Sequence, residues 1–268
     1  MTSSANESIR LIVRADDMGM SHASNAAIAQ CFNDGILTCA GIQAVGPWAE
    51  EACALGRENP DWCLGAHLTA IGEWQGYRWR PVLPYTEVPS LVDQHGFLPR
   101  SPDEFYAGNP DYGQLEREFR AQVELLVEKW GINLGYVDTH YLDSVEHHPE
   151  FTAVSIKIAE EFGVPRSGHA GEDPMGNIYA TEPAMKEDTY AEIIENLKPG
   201  IYMSLHHLLI DAPDSHVLLH TQPEHQMPAG VGTHRIAECE TLLSPRIREI
   251  INRRGIELVS YRDMRSRT

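Results

Sequence analysis

Short apolar runs alternate along this chain with longer segments of helical period. The runs are Leu11–Val13, Ile36–Val45, Cys63–Leu68, Leu134–Thr139, Val164–Arg166, Ile201–Leu205 and Ile256–Ser260. Each has strand length and is mostly apolar on both faces, the pattern of a parallel strand covered by helices. Between them, Ser21 reads as the N-cap of a helix over Ala23–Phe32 that Gly35 ends. Leu115, Phe119, Val123, Leu126 and Trp130 recur at helical spacing up to Gly131, as do Phe151, Val154, Ile158 and Phe162 up to Gly163. Ser244-Pro245 opens a last helix through Ile247, Ile250 and Ile251 that stops at Gly255. Strand and helix in alternation predict βαβ units and a parallel α/β sheet. Seven candidate strands favour a closed or nearly closed barrel over an open sheet.

One stretch departs from this rhythm. Glu73 to Tyr112 has no sustained period but carries Trp74, Tyr77, Trp79, Tyr85, Phe97, Phe105, Tyr106 and Tyr112 among several prolines. A long irregular insertion in a compact domain is usually functional or disordered, and this one is too aromatic for disorder. It reads as a lid or wall over a pocket, within a single domain spanning 1–268.

Composition narrows the function. With 39 acidic residues against 21 basic, the formal charge is -18, which leaves no basic footprint for nucleic acid. Five cysteines, an odd number without C-x-x-C spacing, argue against a disulfide framework and for free buried thiols in a reducing cytoplasm. The polar stretch Met1 to Arg10 is not a signal peptide, and no apolar run reaches membrane-spanning length.

In parallel α/β folds, function gathers at the C-terminal ends of the strands. Carboxylates and imidazoles stand at four such ends: Asp16-Asp17, His67, Asp138-Thr139-His140 and His206-His207. Adjacent carboxylates such as Asp16 and Asp17 are costly at a buried rim unless a cation is present. An N-cap pair is the plainer reading of those two. At a strand end the two side chains point apart, so one can ligate an ion while the other stays free as a base. His67 and His140 taken singly are as readily rim or core residues. Jointly, two histidines and one aspartate from three strand ends make a facial set with open positions, as in a catalytic metal site. Asp138 is placed to orient a histidine through its second ring nitrogen. His147-His148, before Pro149, read as capping or solvated residues, whereas His206-His207 end a buried run.

These residues also carry a family pattern. Ala15-Asp16-Asp17-Met18-Gly19-Met20-Ser21 with Asn25, Gly65-Ala66-His67-Leu68-Thr69, Asp138-Thr139-His140, Gly163-Val164-Pro165-Arg166 and the closing Arg235, Glu238, Leu242 and Gly255–Tyr261 occur in order along nearly the whole chain. Together they resemble the YdjC-like carbohydrate deacetylases. The resemblance implies a distorted seven-stranded (β/α) barrel, TIM-barrel-like, that deacetylates an N-acetyl sugar with one divalent metal ion. It implies Asp17, His67 and His140 as ligands and Asp16 as the base. The family's late histidine falls at His206 or His207, and the spacing to Asp211 and Pro213 favours His207 as the acid. Arg166 and Arg235, within matched segments, and Trp74 and Trp79, nearest in sequence to His67, are the substrate-binding candidates. Two imidazoles and a carboxylate suit Zn, Co, Ni or Mn, with Mg fitting where water completes the shell. Family members are often dimeric, so a homodimer is a further expectation.

The chain also departs from the family. Arg14 stands where Asn is common. Members acting on chitooligosaccharides carry further histidines after the D-S-H element, but here Tyr141-Leu142-Asp143-Ser144 follow His140. Two other functions compete: a non-catalytic carbohydrate-binding barrel, and a metal-dependent sugar isomerase or phosphoesterase. The latter wants phosphate-binding nests or more arginine than Arg14 and Arg166 supply.

Overall fold

The computed structural model describes residues 8–141 and 148–264. His147 and Leu142, Asp143 and Ser144 lie outside the described residues. Seven strands form one curled parallel sheet: β1 (Ile9–Met18), β2 (Cys39–Ile42), β3 (Cys63–Leu68), β4 (Leu134–Thr139), β5 (Asp173–Pro174), β6 (Gly200–His207) and β7 (Glu257–Leu258). The order is β4-β3-β2-β1-β6-β5, with β7 also paired to β1. The first strand therefore sits in the middle, flanked by β2 and β6.

The helices are α1 (His22–Asp34), α2 (Ala49–Glu58), α3 (Pro102–Ala107), α4 (Tyr112–Glu124), α5 (Pro149–Glu161), α6 (Lys186–Asn196), α7 (Val231–Leu243), α8 (Pro245–Arg254) and α9 (Tyr261–Met264). Ser21 caps α1 by accepting the Ser24 N–H, and Ser244 caps α8 by accepting from Arg246 and Ile247. Gly255 ends α8 at φ 63, the left-handed cap that glycine adopts without a Cβ penalty. The period through Trp130 continues beyond α4 as a π turn over Leu125–Lys129.

Two sequence expectations change. Val164–Arg166 is not a strand: Arg166 makes a single bridge to Val137, and the fifth strand is the two-residue β5 further on. The cause is local. Gly168 and Gly171 take φ +82 and +93 and turn the chain away from β4 after Arg166. Consequently the pairing runs from β4 to β5 without closing among the described residues, so the sheet is curled and open, not a closed barrel.

Most of the core lies between this sheet and its helices, with Leu11, Val13, Ile42, Leu68, Phe119, Val137 and Phe151 fully buried. A smaller cluster of Met20, Ala23, Trp74, Trp79, Leu98, Leu209 and Val231 joins the aromatic insertion to α1, α7 and the loops that follow β1 and β6. The insertion holds little regular structure, yet it is tied down. Glu118 of α4, wholly buried, accepts the N–H groups of Val82 and Leu83 at 2.8 and 3.0 Å. Asp93 pairs with Arg78 at 2.7 Å and accepts the N–H groups of His95 and Phe97. All five cysteines are free and buried. Among the described residues, no helix is long and apolar enough to cross a membrane.

At the start of α7, the short helical turn Pro213–Val217 packs directly on Gly232, where an added Cβ would run into the Ser215 carbonyl. Neither backbone can yield without moving α7. Gly232→Ala is expected to destabilise the fold by about 1–3 kcal/mol, read as a fall in the urea midpoint; an unchanged midpoint would show that this contact constrains nothing.

Candidate active site

Strand alternation and one irregularity together build the site. On β6, Met203, Leu205 and His207 line a cavity of about 430 Å³, while Ser204 and His206 between them do not. On β1, Arg14 and Asp16 face the same cavity, and Asp16 pairs in register with His207. Asp17 has φ 66, and the β1–β2 register shifts between Ala15 and Met18. Aspartate tolerates this left-handed geometry better than most residues, and the bulge re-aims its side chain. Local bonds hold the turn: Ser24 Oγ donates to the Asp17 carbonyl, and the Gly19 N–H donates to Asn25 Oδ1 at 2.7 Å.

Three buried groups meet there. Asp17 Oδ1 lies 3.6 Å from His67 Nε2 and 3.2 Å from His140 Nδ1, and those two nitrogens are 3.2 Å apart. The far nitrogen of each ring is held by another carboxylate: His67 Nδ1 by Asp138 at 3.1 Å and His140 Nε2 by Glu73 at 2.8 Å. These partners turn the inner nitrogen of each ring toward Asp17, and with an ion bound they would hold the ring protons on the outer nitrogens. The other oxygen of Asp17 accepts from Arg235 at 2.7 Å.

The size of this triangle can be compared with a metal shell. Donors about 2.1 Å from an ion, at tetrahedral or octahedral angles, stand roughly 3.0–3.4 Å apart. Two edges of 3.2 Å fall within that range, and the third, at 3.6 Å, lies just beyond it. A second group, Asp16, His67 and Asp138, also converges. There the Arg14 guanidinium already bridges the carboxylates, at 2.8 Å from Asp16 and 3.3 Å from Asp138.

The electrostatics follow from burial and charge. Burial pulls both imidazoles down, but carboxylates outweigh it: Asp138 and Asp16 raise His67, and Glu73 and Asp17 hold His140 at about 9. Burial raises Asp17, yet Arg235 and the two rings outweigh that and hold it well below the usual carboxylate range. Asp16 goes the other way, to about 6, because its desolvation exceeds the help of Arg14. Burial and then Arg235 push His207 down to about 3, so its ring is neutral in the free site.

The structure thus brings Asp16, Asp17, His67, His140, His207, Arg166 and Arg235 around one cavity or against its wall. It separates the two late histidines. His206 is fully buried away from the cavity, bonded to Ser204 Oγ at 2.7 Å and edge-on to Tyr190. Asp138 orients His67, whereas His140 is served by Glu73, a residue that no strand-end position marked. Arg166 is spent largely on the scaffold, donating to Ser155 Oγ, Thr139 Oγ1 and the Ser167 carbonyl. Trp74 and Trp79 do not line the cavity. Trp74 lies under the Arg235 guanidinium at 4.9 Å, and Trp79 sits edge-on to His140 at 5.7 Å. Besides the imidazoles of His67, His140 and His207, the rings at the cavity are Tyr141, Tyr179, His220 and His225.

A profile of YdjC-like proteins matches residues 10–253. The chain belongs to the YdjC-like family. This family member is 26% identical to a carbohydrate deacetylase of Geobacillus stearothermophilus, over 94% of this chain and 96% of that one. It is 28% identical to carbohydrate deacetylase 2 of Listeria innocua, over 96% and 99% of the two chains. A solved structure from Enterococcus faecalis, named for cellobiose-phosphate cleavage, superposes with a TM-score of 0.77 at 20% identity, covering 96% of this chain and 99% of that one, which shows a shared fold.

The placement of Trp79, 3% exposed and packed over Gly72 behind His140, assigns it to packing. Trp79→Ala is expected to cost about 3–5 kcal/mol of folding stability, measured by denaturant unfolding. A midpoint equal to the wild type would return the ring to the list of substrate contacts.

Proposed function

We propose that this YdjC-like protein is a metal-dependent hydrolase that removes the acetyl group from an N-acetylated sugar. The observation that carries the reading is the pair of carboxylate-backed imidazoles, Asp138–His67 and Glu73–His140, whose inner nitrogens converge with Asp17 Oδ1. The near-full-length likeness to proteins named carbohydrate deacetylases supports the substrate class. The curled sheet, continued past β4 by the Arg166 bridge, is taken as a distorted seven-stranded barrel of the TIM type that is a single domain of the cytoplasm.

Asp17, His67 and His140 would hold one divalent ion, and the mixed nitrogen and oxygen donors suit Zn, Co, Ni or Mn above Mg. Such an ion, when bound, polarises the acetyl carbonyl and acidifies the attacking water. Asp16 takes the proton of that water. Its carboxylate lies beside the triad, 3.9 Å from His67 Nε2, and is kept off it by the two-point grip of Arg14 at 2.8 and 2.9 Å. His207, on the adjoining strand and in register with Asp16, is neutral at rest; it would receive from Asp16 the proton taken from the attacking water and pass it to the leaving amine. Arg235 neutralises the second oxygen of Asp17 and so leaves the first one directed inward. A sugar phosphate is the poorer fit, because the guanidiniums of Arg14 and Arg166 are engaged with Asp16, Asp138, Ser155 and Thr139.

Purified protein is expected to release acetate from N-acetylated sugars, to stop after chelation and to recover with added divalent ion; no release from any such sugar under metal-replete conditions would refute the reading. His67→Ala and His140→Ala should each lose the single bound ion, measured by elemental analysis, and full stoichiometry in both would remove them as ligands. Asp16→Asn should keep the ion and the fold while lowering kcat by roughly two to four orders of magnitude; near-normal turnover would mean that another group is the base.

A further inference from the structure

Away from the triad, one buried ion pair stands behind the His207 wall. Lys186, the first residue of α6, and Glu238, on α7, are both fully buried and lie 3.3 Å apart. Removing two charges from water costs several kcal/mol per ion, so such a pair is poor evidence for stability by itself. What its remaining bonds reach is more informative. Lys186 Nζ donates to the carbonyls of Ile178 and Tyr179, and the Tyr179 ring lies 5.1 Å from the His207 ring on the cavity wall. Glu238 Oε2 accepts the backbone N–H of His207 at 3.0 Å and lies 3.4 Å from His206 Nδ1.

The backbone of His207 and the ring packed beside it, Tyr179, are thus both tied to this ion pair. His207 is the last residue of β6, and Glu238 occupies its backbone N–H there, a donor that needs a partner. His206, pointing away from the cavity between Ser204 and Tyr190, is the anchor of this arrangement and not an alternative acid. We infer that Glu238 is a positioning residue for His207, with Lys186 holding both the carboxylate and Tyr179 in place. The inference rests on the reading of His207 as the proton donor to the leaving amine, and it adds the group that aims it. α7 then serves the site twice, through Arg235 on Asp17 and through Glu238, one turn further on, on His207.

The test separates positioning from mere support of the fold. Glu238→Leu removes the acceptor, and Glu238→Gln restores an oxygen for the His207 N–H without the charge. If the unpaired lysine prevents Glu238→Leu from folding, Lys186→Met/Glu238→Leu replaces the whole pair by apolar groups. In the folded leucine variant, turnover of an N-acetyl sugar is expected to fall about 10- to 100-fold, the size of effect that a misplacement near 1 Å produces. KM and the bound ion should stay as in the wild type, and Glu238→Gln should recover most of the loss. Because p-nitrophenyl acetate has a leaving group that needs no proton, the ratio of its hydrolysis to that of the amide should rise about tenfold in the leucine variant. A folded, metal-loaded leucine variant with wild-type amide turnover, or equal losses on ester and amide, would overturn the role of Glu238. Absence of acetate release by the wild-type protein on any N-acetyl sugar would instead bring down the deacetylase reading, and this role with it.

Discussion

Four buried carboxylates, Asp16, Asp17, Glu73 and Asp138, are gathered at the ends of two strands and the start of the insertion, and their mutual repulsion governs what surrounds them. Asp16 and Asp138 have oxygens within 4.8 Å of each other, where two bare charges repel by about 3.5 kcal/mol at an effective dielectric near 20. Such a cluster persists only with cations interleaved. Arg14 spans Asp16 and Asp138 from within β1, and Arg235 reaches Asp17 from α7. The two imidazoles take up the rest of the contacts between carboxylates. Much of the architecture on this face serves that placement: the bulge at Asp17, Trp74 under Arg235, and the insertion that delivers Glu73.

The same constraint divides the roles of two adjacent aspartates. Asp17, contacted by a guanidinium and two rings, is stabilised as an anion and tied into the triad. Asp16, with desolvation dominant, holds its proton more tightly and retains basicity in the range where a proton acceptor works. Identical side chains one residue apart differ because the bulge sends them into different surroundings.

How much of this was legible in the linear chain depended on whether a signal was local. Strand ends are local, so Asp16, Asp17, His67, Asp138 and His140 stood out by position alone. So did caps such as Ser21, Ser244 and Gly255. The choice between His206 and His207 followed from family spacing, and the alternation of β6 supplies its physical reason. Glu73 escaped because it begins an aperiodic insertion. Glu238 appeared only as part of a family pattern. Its helix, α7, buries His234, Arg235, Glu238 and Thr241 alongside Val231 and Leu242, so it has no apolar stripe to betray it. Closeness in sequence to His67 made Trp74 and Trp79 candidates for substrate contact as well as for packing, and both rings are buried in the cluster beneath the insertion. Of a closed or nearly closed barrel, the parallel curled sheet is found but full closure is not, and Gly168 and Gly171, with positive φ values, bend the chain just where a fifth long strand was expected.

The central position of β1 has a consequence for how the chain is made. Its most extensive pairing is with β6, from Ile9 with Gly200 to Asp16 with His207, a separation of 200 − 9 = 191 residues. At a synthesis rate of about 5–20 residues per second, β1 waits roughly 10–40 s for that neighbour, with one buried-type edge unpaired. β2 and β3 can add to the other edge meanwhile, but the gap beside β1 stays open until the last third of the chain emerges. Contacts so distant in sequence slow folding and leave apolar strand edges open to other chains. Truncation before β6 would therefore leave β1 with an open edge, a half-sheet in place of a smaller folded unit.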